Sequence, residues 1–134
     1  MKGIGIKEVA FVGYPVTDMD RARDFYGRIL GLEESWVIED GGKAHWVEYE
    51  AAGTTVAIAQ ASDAWKPGAD GGGACFEVDD LDLAVERLRA EGVAIPMPIG
   101  DFPMCRIALI SDPDGNGIAL HQKKPNHPEC RAAD

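Results

Sequence analysis

Cysteine is scarce in this chain of 134 residues: Cys75, Cys105 and Cys130 are odd in number and widely spaced. They make no CxxC pair and no disulfide framework, so reduced thiols in a cytoplasmic protein are expected. Long apolar runs are missing too, and none approaches the roughly 20 residues of a membrane span. The stretch MKGIGIKEVAFVGY carries charges at Lys2, Lys7 and Glu8 and no cleavage pattern after a long apolar segment, so no signal peptide is expected. Basic residues are in short supply, 13 Lys and Arg against 23 Asp and Glu, a net charge of −10. Nucleic acid and anionic membrane surfaces both require clustered Lys and Arg, so neither is expected as a partner.

What is present is a repeat. Val16-Thr17-Asp18-Met19-Asp20-Arg21-Ala22 matches Val78-Asp79-Asp80-Leu81-Asp82-Leu83-Ala84, and Val56-Ala57-Ile58-Ala59-Gln60 matches Ile118-Ala119-Leu120-His121-Gln122. Both pairs stand 62 residues apart. Two copies of one supersecondary unit imply a pseudo-twofold fold with its cleft between the copies. The length suits a single domain with module one at 4–60, a linker at 61–72, module two at 73–123 and a polar tail at 124–134.

Residues 7–16 read as a strand. Thr17 and Asp20 make a capping-box pattern for a helix whose apolar face is Met19, Ala22, Phe25, Tyr26, Ile29 and Leu30, with Gly31 as its stop. Strands follow at 33–39, 44–50 and 54–60, with turns at Glu39-Asp40-Gly41-Gly42 and Ala51-Ala52-Gly53. The second module restarts at Ala74–Val78. Asp80 caps a helix over Leu81, Ala84, Val85 and Leu88 that Gly92 ends, and strands are expected at 93–99, 105–110 and 118–122. Each module is therefore βαβββ and the class is α+β, two tandem modules forming an open barrel-like cleft.

Strand alternation assigns faces. Val56, Ile58, Ile118 and Leu120 should face the helices, and Ala57, Ala59, Ala119 and His121 the concave side. In the third strands, Ile107 and Leu109 read as core, and Trp46, Glu48, Arg106, Ala108 and Ile110 as concave. Ligand-binding candidates are thus Phe11, Trp46, Glu48, Cys75, Arg106 and His121: rings for contact area, small neighbours for volume, charged groups as anchors. Glu48, Glu77 and His121 are the candidate catalytic residues, and as two carboxylates and one imidazole they also form a conceivable metal set. Cys75 has no His placed beside it by sequence and reads as an inert thiol. The Asp112–Gly117 turn lacks the full ligand pattern of a calcium loop.

With these residues quoted, the chain resembles the vicinal oxygen chelate superfamily of glyoxalases, extradiol dioxygenases and bleomycin- and fosfomycin-resistance proteins. The resemblance rests on Val16–Tyr26 with Leu30-Gly31-Leu32, on Val78–Ala84 and on Asp112-Pro113-Asp114-Gly115-Asn116, and it spans residues 8–122. It implies metal ligands at four positions, which here are Phe11, Ala57, Gly73 and Ala119. It also implies a homodimer. None of those four side chains ligates a metal, so the resemblance leads to a protein that binds a small molecule in the inter-module cleft without a cofactor. The alternative is an atypical metal-dependent lyase or dioxygenase built on Glu48, Glu77 and His121. A structural or regulatory module with an unused cleft is the third reading.

Overall fold

A computed structural model describes residues 3–127. Cys130 and most of the expected tail lie outside the described residues. The chain divides into two compact units, Met1–Lys66 and Pro67–Asp134, with the boundary inside the expected linker. Among the described residues no helix is long and apolar enough to cross a membrane.

The first unit runs β1 (Val12–Val16), α1 (Met19–Arg23), β2 (Glu33–Asp40), β3 (Lys43–Ala51) and β4 (Thr54–Gln60), and α1 continues as a π-helical stretch, Asp24–Ile29. The sheet order is β1-β4-β3-β2, with β1 parallel to β4 and the other pairs antiparallel. The second unit repeats this with β5 (Cys75–Glu77), α2 (Leu81–Ala90), β6 (Met97–Asp101), β7 (Cys105–Ser111) and β8 (Gly117–Lys123), in the order β5-β8-β7-β6. Each module is therefore βαβββ around a four-stranded mixed sheet.

Three local readings need correction. The first strand begins at Val12 rather than residue 7. Helix α1 is capped by Asp18, not Thr17: its carboxylate accepts from the Arg21 N–H at 3.0 Å. Asp80 does the same for the Leu83 N–H at 3.0 Å. A carboxylate in extended backbone just before a helix satisfies an otherwise orphaned donor and meets the positive end of the helix dipole. The sixth strand is Met97–Asp101, later than the expected 93–99. The turns read at 39–42 and 51–53 narrow to two residues each, Gly41-Gly42 and Ala52-Gly53. Asp40 pairs with Lys43 across Gly41 and Gly42, whose φ of 59° and 78° suit a turn needing two left-handed residues.

Each helix covers one face of its own sheet. In the first unit that face holds Tyr14, Val16, Val47, Tyr49, Val56 and Ile58, all buried, against Ala22, Phe25 and Tyr26. Tyr26 stacks on Tyr49 with ring centroids 6.2 Å apart and lies 5.8 Å from Tyr14. Arg23 grips Glu34 with two hydrogen bonds of 2.8 and 2.9 Å, and the Tyr49 hydroxyl donates to the same carboxylate at 3.5 Å. Burial, and next the Glu34 charge, push the Tyr49 phenol well above its ordinary pKa. The second unit buries Leu81, Val85, Leu88, Ala108, Ile110, Ile118 and Leu120.

The turn between β7 and β8 is built on buried polar groups. One Asp112 carboxylate oxygen accepts the N–H groups of Asp114 and Asn116, each at 2.9 Å, and the other accepts the Asn116 side-chain amide at 2.8 Å. The Asn116 amide oxygen accepts the Gly68 N–H at 3.1 Å, tying the linker to this unit. Here DPDGN is a structural staple that satisfies buried donors and acceptors.

Candidate functional site

The sheet faces turned away from the helices carry the candidate residues, and strand register decides which they are. In the first unit Gly13 pairs with Ala57, Ala57 with Glu48, and Glu48 with Trp36. Pro15 pairs with Ala59, Ala59 with Trp46, and Trp46 with Ile38. Paired residues project to one side, so Trp46, Glu48, Ala57 and Ala59 share the helix-free face, as the alternation predicts. A bulge at Ser35, between Glu34 and Trp36, brings Trp36 and Ile38 onto that face as well.

In the second unit Cys75 pairs with Ala119 and Ala119 with Leu109, while Glu77 pairs with His121 and His121 with Ile107. Cys75, Glu77 and His121 therefore share the helix-free face as expected. The third strand is reversed from its reading. Ile107 and Leu109 lie beside His121 and Ala119, whereas Ala108 and Ile110 are buried towards the helix with Leu120 and Ile118. Arg106 moves with them. It pairs with Gln122 and makes two hydrogen bonds, 2.8 and 3.1 Å, to Asp82 on α2. The Gln122 side chain in turn accepts the Leu81 N–H at 2.8 Å. The cause is the length of the turn. β3 and β4 are joined across Ala52 and Gly53, β7 and β8 across five residues. Fourth strands stand 62 residues apart, but third strands stand 61 apart, as the pairs Trp46–Ala59 and Ile107–His121 show. One residue of slip turns every side chain over.

Two groupings of functional side chains result. In the first unit Phe11 meets Trp46 edge to face, ring centroids 5.0 Å apart at 90°, and the Trp46 indole N–H donates to Glu48 Oε2 at 2.8 Å. Trp65, from the linker, joins them. A Cβ added at Gly13 would lie 2.9 Å from Trp65 Cη2 and 3.2 Å from Phe11 Cε2, so both rings rest against the bare backbone of Gly13. Trp65 is held by reciprocal backbone hydrogen bonds with Ser62 of 3.0 and 3.1 Å. Nothing in the Pro- and Gly-rich linker marks Trp65 as a site residue. The one sequence signal is Gly13 itself, a strand glycine of the kind that admits close approach.

In the second unit His121 Nδ1 lies 2.5 Å from Glu77 Oε1, and Glu77 Oε2 accepts the Lys123 N–H at 2.8 Å. The His127 ring stands edge-on to His121 at 6.1 Å. Burial raises the Glu77 carboxyl, but the His121 hydrogen bond, the Lys123 N–H and their charges together leave it below its ordinary pKa. Cys75 is raised by burial first, then by Glu77 and Cys105, which suppresses thiolate. A carboxylate clamped to an imidazole fixes the ring's orientation and leaves the other ring nitrogen for a ligand or a proton.

The four positions given by the resemblance for metal ligands do not fit a metal. Phe11, Ala57, Gly73 and Ala119 offer no side-chain nitrogen, oxygen or sulfur. Phe11 and Gly73 also precede β1 and β5. Among the described residues no group of three or more His, Cys, Asp or Glu side chains is arranged to hold a metal ion.

The comparisons with known proteins agree with this architecture. A search of the curated proteins returns no match. Among solved structures, the antibiotic-binding protein TnmS3 from Streptomyces sp. CB03234 is 29% identical, with a TM-score of 0.75 over 91% of this chain and 100% of that one. A member of the Glyoxalase/bleomycin resistance protein/dioxygenase superfamily from Sphaerobacter thermophilus is 30% identical, with a TM-score of 0.74 over 88% of this chain and 98% of that one. The fosfomycin resistance protein FosX from Listeria monocytogenes, 18% identical with a TM-score of 0.71 over 90% of this chain and 96% of that one, shares the fold. The family model for this superfamily matches residues 7–120, and the chain belongs to the Glyoxalase/Bleomycin resistance protein/Dioxygenase superfamily.

Proposed function

We propose that this chain binds a small organic molecule on the helix-free faces of its sheets, without a metal or other cofactor, and acts as a homodimer. The observation that carries the reading is the aromatic grouping of the first unit. Phe11 is 42% exposed and Trp65 37% exposed, and both stand against Gly13, the strand partner of Ala57, while Trp46 beside Phe11 pairs with Ala59 and donates to Glu48. Half-exposed rings over small residues, with a few placed polar groups, are the composition of a ligand site rather than of a core. That TnmS3 is an antibiotic-binding protein supports the reading. Ligand contacts on the first sheet are assigned to Phe11, Trp46, Glu48 and Trp65; Cys75 and His121 are the candidates on the face of the second. Arg106 is left out because Asp82 engages it on the helix side.

The Glu77–His121 pair favours a second reading, an enzyme that uses Glu48, Glu77 and His121 with an atypical metal. Against it, Glu48 already accepts from Trp46, and both oxygens of Glu77 are engaged. Native mass spectrometry of the purified protein, followed by thermal-shift screening of small organic molecules with and without a chelator, separates the two. The binding reading expects dimers and ligand stabilisation that survives the chelator. Stoichiometric metal, or stabilisation that vanishes with the chelator and in His121→Ala, overturns it in favour of the enzyme.

A further inference from the structure

We infer that the helix-free face of the first sheet takes a flat aromatic ring system carrying a positively charged nitrogen, with the ring on Phe11, Trp46 and Trp65 and the nitrogen at Glu48. This rests on the small-molecule reading above and narrows its ligand class. Two separate observations carry it.

The first is the contiguity of the rings. Phe11 meets Trp46 edge to face at 5.0 Å, and Trp65 and Phe11 both lie against Gly13. Three rings thus form one patch, and Trp36 extends it as the strand partner of Glu48. Trp36 is 56% exposed. Flat aromatic partners gain from offset or edge-on contact with such rings beyond the area they bury. An aliphatic ligand would have no such gain.

The second is charge. The half-buried Glu48 carboxylate accepts from a neutral donor, Trp46 Nε1, and no cation among the described residues pairs with it. An ionised carboxylate accommodates about four hydrogen bonds, and partial burial beside the Trp46 indole strips water that would otherwise satisfy it. A cation placed there pairs with the carboxylate and supplies the charge that the Trp46 N–H does not. An anion would meet Glu48 and a chain of net charge −10. Among the described residues the carboxylates of Glu34, Asp24, Asp82 and Asp101 are paired with Arg23, Arg28, Arg106 and Lys124. Glu48 instead accepts from Trp46, a ring of the patch itself.

The test is isothermal titration calorimetry of the intact protein at neutral pH with three probes of one ring shape: 9-aminoacridinium, a cation; acridine, neutral; and acridine-9-carboxylate, an anion. The cation is expected to bind about tenfold more tightly than acridine, and the anion not measurably. Glu48→Gln should remove the cation's advantage over acridine, and Trp65→Ala should weaken both. A cation preference that Glu48→Gln leaves intact belongs to the overall negative charge of the chain and overturns the inference. So does equal binding of acridine and its cation, or no binding of any probe. In each case the small-molecule reading still stands or falls on the screen described above. A Gly13→Ala variant adds an independent check, because its Cβ displaces Trp65 and should weaken both bound probes without unfolding the protein.

Discussion

Ile110→Ala and Leu109→Ala together test the strand register on which the site rests. Ile110 is fully buried towards α2, whereas Leu109, its neighbour on β7, is 39% exposed on the helix-free face. Truncating Ile110 removes three buried carbons, about 2.4 kcal/mol at roughly 0.8 kcal/mol per methylene, and leaves a closed cavity. The sum is about 3–4 kcal/mol. Truncating Leu109 removes the same number of carbons, but two-fifths of that surface is already in water and the gap opens to solvent. Its cost is about 1–1.5 kcal/mol without a cavity contribution. Urea titration at constant slope measures the difference, about 2 kcal/mol, and thermal unfolding should show it as a lower midpoint for Ile110→Ala by several degrees. Equal costs, or a larger cost at Leu109, would place Leu109 in the core and return Arg106 to the face that holds His121. The reasoning from turn length would then be wrong.

Three further outcomes are expected. Asn116→Ala should destabilise by about 2–3 kcal/mol in urea titrations, because the Gly68 N–H and one Asp112 oxygen lose their buried partner; a neutral effect would mean the staple is dispensable. Ala52→Gly should stabilise by about 0.5 kcal/mol, since Ala52 holds φ at 48° and glycine adopts that conformation without strain; destabilisation would show that the turn tolerates alanine better than its geometry indicates. The Glu77 carboxyl is held below its ordinary value of 4.5, so its contribution is present above that value and is lost as pH falls through the lower folded one. The urea midpoints of wild type and Glu77→Gln should therefore converge as pH is lowered from 7 to 3, and a gap that widens towards acid would contradict the assignment.

The sequence by itself determined whatever short-range periodicity controls. The apolar helix faces around Phe25, Tyr26, Val85 and Leu88 are local patterns, as are the Asp80 cap and the glycine turn at Gly41-Gly42, and the repeat is such a set written twice. Each is decided by residues a few positions apart. The helix-free placement of Trp46, Glu48, Ala57, Glu77 and His121 was legible for the same reason, because alternation holds within any one strand. Tertiary structure decided what depends on how strands meet. A turn of two residues in one module and five in the other carries an odd difference, which alternation along β7 alone cannot reveal. It sends Arg106 to Asp82 and exposes Leu109. The bulge at Ser35 brings Trp36 to the site. The Glu77–His121 hydrogen bond follows from the parallel pairing of β5 with β8, 44 residues apart in the chain. Trp65 sits on Gly13 because a glycine leaves the backbone bare where the linker returns, and no periodicity links a linker residue to a strand more than 50 positions earlier.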